Sequence, residues 1–190
     1  VLDGLEAEGL YLRQFGAPRH LVICLPETSR EPEDVLEIFD FAAAGADVLV
    51  PLLLSSTQPP PPAPAGWAKN QTEREWILRM GFPVGRHPIG LEVQKVLAFI
   101  DWWKQRFPGR DVEIAAAGDG AWIAFFAAVL DPRIALVEAG YLGIEPRTYR
   151  NQPLYRNIFG LVRFFNEEDL RALLRGRLGN APRAMPVPMK

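Results

Sequence analysis

Apolar residues along this chain fall into short unbroken runs separated by helical stripes. Leu21-Val22-Ile23-Cys24-Leu25 is continuous and closed by Pro26, and Asp47 to Leu54 forms a second apolar run. Runs of this kind, without polar alternation, fit strands covered on both faces, as in a parallel sheet. Leu5 to Arg13 alternates loosely and suits an edge strand. Between the first two runs, Thr28, Ser29, Glu31 and Pro32 form a helix-start signal; Val35, Leu36, Ile38, Phe39 and Ala42 follow at helical spacing, and Gly45 closes the element. Glu73 to Met80 reads as a short helix carrying Trp76. Gly90 to Arg106 is a longer one, with Leu91, Val93, Val96, Leu97, Ile100, Trp103 and Phe107 on its buried face and Pro108-Gly109 as its stop. A strand Val112 to Ala117, a helix Ala121 to Leu130, a turn at Asp131-Pro132-Arg133 and a strand Ile134 to Val137 come next. After Tyr141 the chain turns more polar, and Leu154 to Leu174 reads as one or two helices, with Asn166 as a second N-cap. Strand and helix alternating at this spacing means βαβ units. The fold class is α/β: a mostly parallel sheet between helices, in three layers, as one domain spanning 1–190 with no internal repeat or boundary.

Composition narrows the function classes. The 190 residues can bury a sizeable core, and 48% are hydrophobic, ordinary for a soluble globular protein. The formal charge of −2 is made of mixed signs, so no basic footprint points to nucleic acid. No apolar run approaches the roughly 20 residues of a membrane span. The lone Cys24 lies inside an apolar run and reads as a buried structural thiol. Gln58-Pro59-Pro60-Pro61-Pro62-Ala63-Pro64 opens a stiff proline-rich surface loop over 58–70, read as a spacer rather than a ligand for a proline-binding module. Val1 is not an initiator Met, and Ala181 to Lys190 holds three prolines and no period. The domain is therefore expected to be incomplete, above all at its C-terminal end, with further domains of a longer chain as neighbours.

The stretch with most chemical content is Val112 to Trp122. It runs from a buried strand through Gly118-Asp119-Gly120 into a helix. A nucleophile elbow has this layout, in the frame small-x-Ser-x-Gly: the attacking residue sits on a strained strand-to-helix turn, and its neighbours two before and two after are small because two backbones nearly touch. Ala116 and Gly120 fit the small positions, and Val112, Ile114 and Ala116 share one strand face leading to the turn. Gly118 stands where serine belongs, and glycine cannot form an acyl-enzyme. The backbone N–H of Asp119 would serve an oxyanion hole at the helix start. A frame shifted by one residue, Ala117 to Ala121, makes Asp119 a carboxylate nucleophile, but the strand alternation fits the first frame better. Otherwise Asp119 caps its helix and complements the dipole. The hydrolase order is nucleophile, acid, histidine. His20 and His87 both precede the turn. Asp131, Glu138, Glu145, Glu167, Glu168 and Asp169 follow it with no histidine downstream to orient. The rest of a triad lies beyond Lys190, or it does not exist.

Other residues carry weaker signals. His87 with Arg86, just before the long helix, either binds a substrate carboxylate or holds the helix entry by backbone hydrogen bonds, the second being the more ordinary role. Trp122 is a candidate to fill the space a substrate would occupy. Trp102-Trp103 offers a ring for sugar stacking, with Trp103 on the core face and Trp102 on its flank. Ser55-Ser56-Thr57 reads as a polar loop. Arg147, Arg150, Arg156 and Arg163 read as scattered surface arginines. Two histidines without partnered cysteines exclude a zinc site of usual spacing.

Several segments together carry a family resemblance: Glu73-Arg74-Glu75-Trp76, Gly85 to Val96 with its Gly-Arg-His, Ala127 to Ile134 with its Leu-Asp-Pro-Arg-Ile turn, Gly140-Tyr141-Leu142, and Pro153 to Leu161 with its Tyr-Arg-Asn. From about Gly4 to Leu174 the chain resembles the dienelactone-hydrolase and acetyl-xylan-esterase-like branch of the α/β-hydrolases, and more narrowly bacterial secreted or multi-domain homologues with degenerate elbows. The resemblance implies a three-layer α/β-hydrolase fold and, in active relatives, hydrolysis of carboxylic esters, often acetyl groups on carbohydrate, with no cofactor. It implies a small-molecule or carbohydrate ester as ligand and a secreted or periplasmic setting. The relatives' nucleophile maps to Gly118, and their oxyanion donors map to the backbone of Asp119 and to the turn at Pro26-Glu27. Their acid and histidine map to nothing here. The expectation is a domain with no catalytic residue; an active hydrolase completed beyond Lys190, or one using Asp119, is the alternative.

Overall fold

The architecture, taken from a computed structural model, is described for residues 6–16, 18–26, 45–55, 71–140, 142, 151–174 and 176–179. Strand β2 (His20–Leu25) lies at the centre of a five-stranded sheet, parallel to β3 (Asp47–Pro51) on one side and to β4 (Asp111–Ala116) on the other. Beyond β4 comes β5 (Ile134–Ala139), again parallel; beyond β3 comes β1 (Gly9–Leu12), antiparallel, at the edge. The order is β1-β3-β2-β4-β5. Leu25 and Ala116 are register partners, so β2 and β4 end side by side. In open α/β sheets, ligands bind at such carboxyl ends.

Helices α1 (Glu73–Gly81), α2 (Pro88–Arg106) and α3 (Asp119–Leu130) follow, with a short 3-10 turn at Phe82–Val84 between the first two. A capping box starts α1: Thr72 accepts from the Glu75 amide and the Glu75 carboxylate accepts from the Thr72 amide. The Val112, Ile114, Ala116 face of β4 lies in the main apolar cluster with Leu21, Ile23 and Leu25, against Val93, Val96, Ile100 and Trp103 of α2 and most of α3. The α3 segment is apolar all round and buried nearly all round. On the opposite sheet face, Val22, Cys24, Ala46, Val48, Val50 and Ala115 form a second buried cluster. Burial pushes the Cys24 thiol well above its ordinary value, which makes it inert. The helix expected over Val35 to Ala42 and the proline-rich loop over 58–70 lie outside the described residues.

Element ends move where side chains claim the backbone. The run expected to extend to Leu54 leaves the sheet after Pro51, because the Leu54 amide donates to Glu92 Oε1 at 2.9 Å and the Leu52 carbonyl accepts from Lys95 Nζ at 3.3 Å. The edge strand is shorter than Leu5 to Arg13, because past Leu12 the Gln14 amide turns to Asp47 Oδ1 at 2.9 Å. Leu154 to Leu174 splits into a 3-10 turn (Leu154–Arg156), α4 (Leu161–Phe164) and α5 (Glu167–Leu173), the last capped by Asn166 as its side chain foretold. After α5 the chain returns to the sheet: Leu178 bridges Val137 in parallel, and the Gly179 amide donates to the Val137 carbonyl at 2.9 Å.

Candidate active site: a glycine elbow over a buried ion network

The turn after β4 has the strained geometry its sequence foretells. Gly118 sits at φ 52°, ψ −124°, a region that residues with a Cβ rarely enter. The Ala117 amide donates to the Leu25 carbonyl at 3.0 Å, drawing the turn against the end of β2. Two residues on, there is no room for any side chain: a Cβ on Gly120 would lie 2.7 Å from the Leu25 carbonyl carbon and from the Pro26 carbonyl oxygen. The requirement for a small residue at this position is therefore a backbone-on-backbone contact. Gly118 itself is exposed at the tip of the bend.

Asp119 does not cap its helix. The N-cap is Gly118, which has no side chain to bond, and the Asp119 carboxylate turns inward and is 3% exposed. There it pairs with the Arg156 guanidinium, accepts a hydrogen bond from the Tyr155 hydroxyl at 3.3 Å, and lies 3.8 Å from Arg74 Nη1. Arg74 is buried and pairs with the equally buried Glu92. Its guanidinium also stands 5.1 Å over the Tyr155 ring. Glu92 in turn accepts the Leu54 amide. Two guanidinium groups thus face two carboxylates and tie α1, α2, α3 and the 3-10 turn together beneath the elbow. Burial pulls the Arg74 guanidinium down to about 10, while Asp119 and Tyr155 pull it back up. The Tyr155 hydroxyl is pushed above its ordinary value by burial and by Asp119.

The histidines are occupied elsewhere. His87 is the N-cap of α2, and its Nδ1 accepts from the Ile89 amide at 3.3 Å. Its pKa is lowered to about 4, by burial first and then by the Arg74 guanidinium; the Asn157 backbone nearby opposes this weakly and is too poorly placed for a hydrogen bond. His87 is thus a neutral helix cap, the more ordinary of its two expected roles. Arg86 is exposed, with its amide donating to the Gly81 carbonyl at 2.9 Å. His20 opens β2 at the end opposite the elbow, 4.0 Å from Glu113.

The remaining candidates divide. Trp122, the candidate to fill a substrate's space, is buried in the main apolar cluster. Trp103 is in the core; Trp102 is half-buried between the Tyr11 ring at 5.1 Å and the Arg106 guanidinium at 4.5 Å. Arg156 is not a scattered surface arginine, since it holds Asp119; Arg163 is exposed, with its guanidinium 5.9 Å over the Phe164 ring. The Ser55 amide and carbonyl bind Glu73 Oε2 and the Arg74 amide, at 2.8 and 3.2 Å. Glu27, Ser56, Thr57, Glu145, Arg147 and Arg150 lie outside the described residues. Asp131 pairs with Arg133, and Glu167 with Arg171 and the Leu142 amide. Among the described residues no group of three or more His, Cys, Asp or Glu is placed to hold a metal ion, and no helix is long and apolar enough to cross a membrane.

Sequence reasoning missed the Arg74–Glu92 pair and its link to Asp119. A signal was present at Glu92, whose helix neighbours Ile89, Val93 and Val96 are core residues.

No family model and no curated protein matches the chain. Solved structures do. A cold-adapted esterase from an Arctic intertidal metagenomic library, in its PEG-bound form, superposes with a TM-score of 0.55 at 14% identity, covering 97% of this chain and 83% of that one. Its zinc-bound form gives 0.54 at 14% identity, with 97% and 82% covered. At this identity the likeness concerns the fold. With the mostly parallel sheet, the crossover helices and the turn after β4, it makes this an α/β-hydrolase fold.

Proposed function

We propose that this chain is a non-catalytic domain derived from carboxylic-ester hydrolases, whose old pocket at the strand ends either holds a small ligand such as a carbohydrate ester or supports a neighbouring domain. The observation that carries this reading is the exposed Gly118 at the tip of the strained bend. The place from which a hydroxyl would attack has no side chain. Its neighbour Asp119 gives its carboxylate to Arg156, Tyr155 and Arg74, and a carboxylate held by cations below the turn is a poor nucleophile. Neither histidine is bonded to the turn: His87 serves the Ile89 amide, and His20 stands near Glu113. The backbone N–H groups of Asp119 and, as the family resemblance implies, of Glu27 are the oxyanion-type donors in this reading.

The alternative is a working hydrolase that uses Asp119, or one whose acid and histidine come from sequence after Lys190. Retention of the strained bend favours keeping it in view. Hydrolysis of 4-nitrophenyl acetate separates the two. The non-catalytic reading expects background rates from the chain and from Asp119→Ala alike. Turnover well above background that disappears in Asp119→Ala would establish the alternative.

A further inference from the structure

One face beside the elbow has the composition of a docking surface. The 3-10 turn after α1 and the loop after the 3-10 turn at Leu154–Arg156 meet there, with the Phe82 and Phe159 rings edge-to-face at 6.4 Å. Both rings remain largely exposed, Phe82 by 61% and Phe159 by 87%, and Val84 beside them by 71%. Exposed arginines flank them. Arg79 lies one helical turn before Phe82, Arg86 packs beside Gly81, and the Arg163 amide donates to the Gly160 carbonyl at 3.0 Å, one residue past Phe159. Residues 76–91 and 151–166, the segments that carry the two rings, contain no Asp, Glu or Lys. The exposed charges carried by these segments are therefore all basic, against a net −2 for the whole chain. Phenylalanine and arginine, with lysine and acids absent, are what protein interfaces select over ordinary surface. The loop is also held in place. Arg156 and Tyr155 fasten it to Asp119 three and four residues before Phe159, which limits the freedom that this part of the face loses on binding.

We propose that this face docks a polypeptide segment of another protein that carries apolar side chains among carboxylates. The aromatic pair would anchor it, and the arginines would meet its acids. Three exposed arginines fall short of the roughly four to eight clustered basic residues that mark a lipid-binding surface.

The test uses two labelled peptides with identical leucine and phenylalanine positions, one with glutamate and the other with lysine in between, titrated against the intact chain. The glutamate peptide should bind at least about tenfold tighter than the lysine peptide. Phe82→Ser/Phe159→Ser should abolish binding while circular dichroism and melting stay near the parent's, and Arg79→Gln/Arg86→Gln/Arg163→Gln should remove the salt dependence. Absent binding, equal binding of both peptides, or binding indifferent to the aromatic pair overturns the proposal. So does uptake of the chain by phosphatidylserine vesicles through Phe82 and Phe159, which would make the occupant a lipid surface.

Discussion

The backbone of the elbow and the side chains around it follow different rules. The bend is set by contacts between neighbouring main chains: Ala117 tied to Leu25, and Gly120 pressed on Leu25 and Pro26. These come with the βαβ crossover whatever chemistry the turn performs. The side chains beneath belong to a network of distant partners, in which Asp119 meets Tyr155 and Arg156 across 36 and 37 residues of sequence. The shape of the bend thus rests on main-chain contacts, while the side chain beside its tip is tied into the ion network below.

That contrast is sharpened first at Arg74. Arg74→Met leaves the Glu92 carboxylate buried without its cation, so urea denaturation should show a loss of about 3–5 kcal/mol, and Arg74→Met/Glu92→Leu should recover a large part of it. A loss under about 1 kcal/mol would mean the network contributes little to holding the helices together. Next comes the bend itself. Gly120→Ala drives a methyl into two carbonyl groups that cannot both retreat, and should cost about 3 kcal/mol in the same assay. A neutral Gly120→Ala would break the claim that main-chain contact sets the turn.

A smaller effect tests the cap. With His87 lowered to about 4 against an ordinary 6.5, the unfolded chain takes up a proton that the folded chain refuses throughout that window. Stability should therefore fall as the pH drops from about 6.5 towards 4, by on the order of 2 kcal/mol from this residue alone. His87→Asn keeps a capping side chain and should flatten that part of the pH–stability curve. The smallest effect is at the tip: Gly118→Ser should cost about 1–2 kcal/mol of backbone strain and bring no appreciable ester hydrolysis, because no imidazole stands by to take its proton.

The sequence made the same division visible. Unbroken apolar runs announced β2 and β3, a helical stripe announced α2, and Asn166 announced α5, because each signal is local. The bend was legible because the small residues Ala116 and Gly120 stand at fixed spacing on either side of its tip, although the contact that requires Gly120 is with distant Leu25 and Pro26. The network was not. Nothing near Asp119 in sequence reveals that its carboxylate turns inward, and Arg156 has the look of any surface arginine until the loop that carries it is brought against the start of α3. Charged partners are chosen by topology, and spacing alone does not state topology.

The proposed non-catalytic role requires that no group at the bend attack an ester, and a pre-steady-state experiment reads this directly. With the chain in excess over 4-nitrophenyl acetate, release of nitrophenol should follow the buffer rate, and intact mass should show no acetyl group on any residue from Ala117 to Gly120. A burst approaching one equivalent, with the adduct at Asp119, would contradict it.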